Sequence, residues 1–92
     1  MPKVLVVDDS RMDQRLVGAL LRDTPLLDVG FATNGREALD QIRDNPPDLV
    51  ITDYVMPEMD GMELLLKVGK HHPLIPVILM TSHGNDEVAG RA

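Results

Sequence analysis

The sequence predicts an α/β domain: a doubly wound parallel sheet with helices on both faces. Short apolar runs of strand length, without the polar alternation of a half-exposed strand, occur at Val4–Val7, Leu49–Thr52 and Val77–Thr81, with a weaker one at Leu27–Ala32. Between the runs, apolar residues recur at helical spacing, so the order is βαβαβαβα. Strands alternating with helices argue for parallel strands joined by right-handed crossovers. A third observation locates the working edge. The downstream ends of the first, third and fourth runs carry Asp8-Asp9, Asp53 and Thr81-Ser82, and parallel sheets of this kind bind and react beyond the carboxyl ends of their strands.

The first run, Val4–Val7, ends at Asp8-Asp9-Ser10. Ser10 followed three positions later by Asp13 resembles a capping box, and starts a helix to about Arg22. Its apolar stripe is Met12, Leu16, Leu20 with Val17 and Leu21, and Thr24-Pro25 stops it. Asn34-Gly35 is a turn after the second run. Asn34 with Glu37 is a second capping box, opening a helix that carries Ala38, Leu39 and Ile42 and ends near Asn45. Pro46-Pro47-Asp48 leads into the third run, whose end carries Asp53. Asp53 is expected close to the dry interior yet open to solvent on one side. Pro57 breaks the strand, and Asp60 with Glu63 caps a third helix bearing Met62, Leu65, Leu66 and Val68 as far as His71-His72-Pro73. The methionines at 56, 59 and 62 are expected to fill gaps in the core. Pro76 introduces the fourth run, Ser82–Asn85 is a loop, and Asp86–Ala89 reads as the first turn of another helix.

Composition narrows the function classes. The 92 residues suit one domain, and they hold 9 Lys and Arg against 15 Asp and Glu, a formal charge of −6. An acidic chain without a basic run argues against binding nucleic acid or an anionic membrane through its own surface. The absence of cysteine rules out a disulfide framework and a thiolate metal site. The start of the chain is not a signal peptide and no run reaches membrane-spanning length, so a cytoplasmic location is expected.

Three carboxylates gathered on one rim repel one another unless a hard divalent cation sits among them. Oxygen-only ligands suit Mg²⁺ or Mn²⁺, and Mg²⁺ is commonly shared between carboxylates and a phosphate. A carboxylate can also act as a nucleophile toward phosphorus. Taken singly, each residue has a simpler use. Asp8, Asp9 or Asp60 can cap a helix, Asp53 can serve a turn, and Thr81 suits a strand. His71-His72 reads as a solvated helix end. The coincidence of three strand ends is what points to a site.

The stretches Val4–Ser10, Leu49–Gly61 and Pro76–Ser82, in that order and spacing, resemble the receiver domain of two-component response regulators. The resemblance runs from Lys3 to the end of the chain. It implies a flavodoxin-like sheet of order 2-1-3-4-5. It implies that Asp53 accepts a phosphoryl group from the phosphohistidine of a sensor kinase or phosphotransfer protein, or from a small phosphodonor. Asp9 and Asp53 would bind Mg²⁺ directly with the backbone carbonyl of Val55, and Asp8 through a metal-bound water. Thr81 would be the switch hydroxyl that moves its loop, signalling to a downstream protein or effector domain. Val55 and His83 would flank the path of the hydrolytic water, so His83→Ala is expected to change the lifetime of the aspartyl phosphate without abolishing its formation. A decay rate equal to that of the unaltered protein would remove this role. By the same resemblance the chain is a regulatory module, not an enzyme that turns over a metabolite.

The family pattern continues through a fifth strand, with a lysine at its end, and a fifth helix; both are missing from these 92 residues. Lys67 and Lys70 lie on the third helix and do not replace that lysine by position. A C-terminally incomplete receiver is therefore expected to leave apolar surface bare on the first helix, to leave the fourth strand as an open edge, and to self-associate there. Three alternatives differ in class. A receiver-like adaptor would bind a protein partner and never use Asp53. An aspartyl phosphohydrolase would call for a second acid two residues after the nucleophile, where this chain has Val55. An FMN-binding flavodoxin would have a hydroxyl-rich phosphate loop where this chain has Asp8-Asp9.

Overall fold

A computed structural model describes residues 2–22, 26–56 and 58–80. The elements are β1 (Lys3–Val7), α1 (Arg11–Arg22), β2 (Asp28–Ala32), α2 (Gly35–Asp44), β3 (Leu49–Asp53), α3 (Gly61–His71) and β4 (Val77–Met80). All strand pairs are parallel and the sheet order is β2-β1-β3-β4, the order the sequence predicts for these strands. The switch in winding falls between β1 and β3, so the crevice beyond their ends is where a site is favoured.

Residue alternation along β1 assigns the two faces. Leu5 and Val7 join a buried core with Ala38 and Ile42 of α2, Val50 of β3, and Leu64 and Val68 of α3. Val4 and Val6 are equally buried on the other face. There α1 lies over β2 so closely that a β-carbon at Gly18 would stand 3.2 Å from the Phe31 ring. The caps follow the predicted chemistry. Asn34 accepts from the Glu37 N–H at 2.7 Å and Asp60 from the Glu63 N–H at 2.8 Å. Asp60 is thus a helix cap. Lys3 and Asp48 exchange two hydrogen bonds, of 2.7 and 2.8 Å, which anchor the start of β1 to the loop before β3.

Three packing expectations are corrected. In α3 the buried stripe is Gly61, Leu64 and Val68, whereas Met62 and Leu66 are exposed. The run Met62–Leu66 is apolar almost throughout, so its sequence cannot set which side faces the sheet. On α1, Met12, Leu16 and Leu20 are 72%, 59% and 76% exposed while Val17 and Leu21 are half-buried, because the helix seats only one flank of its stripe on β1 and β2. In β4, Ile78 is 50% exposed; the run reads as buried on both faces, but β4 is an outer strand of the described sheet. Met56 is buried and Met59 packs against the core, as expected of gap-fillers.

Candidate functional site

The parallel register builds the site. Val7 pairs with Thr52, so the next residues, Asp8 and Asp53, stand level at the carboxyl ends of the two central strands. The three-residue link Asp8-Asp9-Ser10 then turns the chain into α1, whose first turn carries Asp13. Carboxylate oxygens of Asp8, Asp13 and Asp53 lie within 4.8 Å of one another. Asp8 and Asp53 are fully buried and Asp13 half-buried.

Each arm is held by backbone. Asp8 continues the sheet ladder, its N–H donating to the Ala32 carbonyl at 3.0 Å. Asp8 Oδ1 accepts the Ser10 N–H at 2.9 Å. Asp8 Oδ2 is buried and has no hydrogen-bond partner among the described residues. Burial pushes the Asp8 carboxyl above its usual 3.8; the Asp53, Asp13 and Asp9 carboxylates push it the same way, against the lowering effect of the Ser10 N–H. Gln14 Nε2 donates to the Asp8 carbonyl at 2.7 Å and, at 3.4 Å, to that of Ala32. It thereby ties α1 to the ends of β1 and β2.

The β3 arm is closed from above. Gly61 donates its N–H to the Tyr54 carbonyl at 2.8 Å, folding the 54–60 turn back onto the strand end. The approach is so close that a β-carbon at Gly61 would collide with the Asp53 carbonyl oxygen. Glu58 in this turn has φ 67°, in the left-handed region, which costs a non-glycine residue about 1 kcal/mol. Asp53 is fully buried. The expectation that it is open on one side is corrected: Asp53 pairs with Met80 of β4, stands level with Asp8 beyond β1, and has the Gly61 backbone against its carbonyl.

The structure therefore brings together Asp8 and Asp53 of the expected residues. Asp9 is exposed and lies outside the triplet, and Asp13 occupies the third place. Val55 is exposed beside the site. Thr81 and His83 lie outside the described residues. Asp13 and Gln14 escape a reading of motifs, since Asp13 reads as half of a capping box. The signal that could have found it is its position in the first turn of a helix that begins only three residues beyond the strand.

The family model of the response regulator receiver domain matches residues 4–92. This chain belongs to that family. Receiver domains are the regulatory modules of two-component signalling, under phosphorylation control. The receiver is 44% identical over 81 residues to a protein-glutamate methylesterase/protein-glutamine glutaminase of Geobacillus kaustophilus, covering 87% of this chain and 23% of that protein. It is 40% identical over 89 residues to the transcriptional regulatory protein ZraR of Escherichia coli K12, covering 97% and 20%. The chain thus spans about a fifth of the curated relatives it matches, and only their receiver portion is compared. Among solved structures, the chemotaxis response regulator CheY4 of Vibrio cholerae superposes with a TM-score of 0.81 at 33% identity, over 96% of this chain and 74% of that one. TrrA of Thermotoga maritima, solved in complex with Mg²⁺-BeF, gives 0.81 at 29% identity over 99% and 80%. Among the described residues, no helix of this receiver is long and apolar enough to cross a membrane.

Proposed function

We propose that this receiver takes a phosphoryl group onto Asp53 with the help of a hard divalent cation, Mg²⁺, and passes the change on to a protein partner or an attached output domain. The observation that carries the reading is the triplet of Asp8, Asp13 and Asp53, with buried Asp8 Oδ2 lacking a hydrogen-bond partner among the described residues. A buried carboxylate oxygen without a partner costs about 1–3 kcal/mol, and all-oxygen donors match Mg²⁺ better than a softer metal. The donor set fits the ion. Asp9 and Asp53 would hold it directly with the Val55 carbonyl, and Asp8 through a metal-bound water, as the family resemblance implies. When bound, the cation supplies positive charge that offsets the carboxylates and the incoming phosphoryl oxygens. TrrA, similar in fold, is a response regulator protein solved in complex with Mg²⁺-BeF.

In the transfer, an Asp53 carboxylate oxygen forms the new O–P bond. The N–P bond of a phosphohistidine, or the acyl O–P bond of acetyl phosphate, breaks in the same displacement, and the electron pair leaves with the donor. The Thr52 hydroxyl donates to the Asp53 carbonyl at 3.1 Å and the Gly61 backbone lies against that carbonyl, so strand and turn fix the nucleophile's direction. The added charge would bias the loop bearing Thr81, the switch hydroxyl, with His83 setting how long the phosphate survives.

Incubation with acetyl phosphate and Mg²⁺, followed by intact mass, tests the reading. One phosphate is expected on the unaltered protein and none on Asp53→Asn. A chain that gains no phosphate under these conditions yet keeps its fold would be a phosphorylation-independent adaptor instead.

A further inference from the structure

We propose that Asp13 is a further carboxylate of the cation site and a determinant of its affinity. The inference rests on the reading that Asp8, Asp9 and Asp53 gather the ion, and adds a residue that the receiver resemblance does not bring to it.

Three observations converge. First, the Asp13 carboxylate has an oxygen within 4.8 Å of ligand atoms on both Asp8 and Asp53. Second, the helix start does not use that carboxylate. In a capping box, an acid at this position reaches back to the backbone N–H of the cap residue. Here the Ser10 N–H is already taken by Asp8 Oδ1 at 2.9 Å, and Ser10 Oγ accepts from the Asp13 N–H at 3.3 Å. The cap is complete through Asp13's backbone, which leaves its side chain to face the other two acids. Third, Asp8 Oδ2 is fully buried without a hydrogen-bond partner among the described residues. Three like charges and an unsatisfied buried oxygen form an arrangement that a divalent cation relieves. Asp13 is also the half-buried member of the triplet, and so the side through which an ion can enter.

The competing explanation is that Asp13 only complements the positive end of the α1 dipole, as an acid in any first helical turn does. The two explanations give opposite signs. If Asp13 serves the dipole alone, Asp13→Asn lowers metal-free stability and leaves cation affinity unchanged. If Asp13 belongs to the site, Asp13→Asn relieves repulsion, raising the metal-free Tm, and weakens Mg²⁺ binding by about tenfold, in the range seen when groups supporting a metal are removed.

The experiment is calorimetric titration of the metal-free, full-length protein with MgCl₂, paired with thermal melts. The set is the unaltered protein, Asp13→Asn, Asp13→Glu and Asp53→Asn, each checked for fold by circular dichroism. Asp13→Glu keeps the charge and is expected to retain most of the affinity, which guards against a variant that fails to fold. Mg²⁺ affinity in Asp13→Asn within about twofold of the unaltered protein overturns the inference. If Asp53→Asn loses Mg²⁺ while Asp13→Asn keeps it, the cation reading stands and Asp13 alone is removed. No saturable Mg²⁺ binding by the unaltered protein removes both.

Discussion

Gly61→Ala is expected to destabilise the domain by about 3 kcal/mol, the upper end of what overpacking usually costs. Gly61 is the first residue of α3, buried against the end of β3. A β-carbon there would collide with the Asp53 carbonyl oxygen and lie 3.0 Å from Tyr54 Cα. Backbone atoms cannot swing aside as the tip of a long side chain can, so the 54–60 turn must lift or β3 must shift. Either movement displaces Asp53, and phosphate uptake from acetyl phosphate should fall along with stability. Gly69, in the same helix, supplies the contrast. Nothing lies within 4 Å of a β-carbon built there, and alanine is favoured over glycine in a helix by about 1 kcal/mol. Gly69→Ala is therefore expected to stabilise. Urea denaturation of both variants checks the pair; equal effects would show that helix propensity, and not space above Asp53, governs Gly61.

Asp8→Asn is expected to change sign with magnesium. The folded Asp8 carboxyl titrates above its unfolded value of 3.8 because it is buried among acids. Between 3.8 and the raised value the folded chain holds more protons than the unfolded chain. Stability attributable to Asp8 therefore falls as pH rises through that window. Asparagine removes the charge and offers an N–H toward the two remaining carboxylates. Without metal at pH 7, Asp8→Asn should be more stable by about 1 kcal/mol, the net contribution of a typical hydrogen bond, and should lose the fall in stability above pH 3.8. With Mg²⁺ at a hundred times its Kd, the unaltered protein should gain about 2.7 kcal/mol and the variant much less, so their order reverses. Denaturation across pH with EDTA and then with MgCl₂ reads both effects. An Asp8→Asn protein that gains as much from Mg²⁺ as the unaltered one would exclude Asp8 from the site.

Much of this was legible in the residues. Unbroken apolar runs gave the four strands to within a residue or two of their observed bounds, since a strand buried by neighbours tolerates few polar side chains. Asn34 and Asp60 gave the starts of α2 and α3, because a cap is local chemistry. The phase of α3 was not legible. Met62, Leu64, Leu65 and Leu66 are interchangeable by hydropathy, and the position of the sheet decides that Leu64 goes inside. Asp13 was hidden for a different reason: its spacing from Ser10 fits a capping box, and only the prior hydrogen bond from Ser10 to Asp8 redirects it.

By itself the sequence determined the strand–helix alternation and which strand tips carry acids, because both are set by neighbours along the chain. Tertiary structure alone decided that Asp8 and Asp53 stand level, that Asp13 comes within reach of both, and that Asp53 is fully buried. Those outcomes depend on parallel register and on how closely a helix start approaches a neighbouring strand. Such distances between remote segments arise only when the sheet has formed.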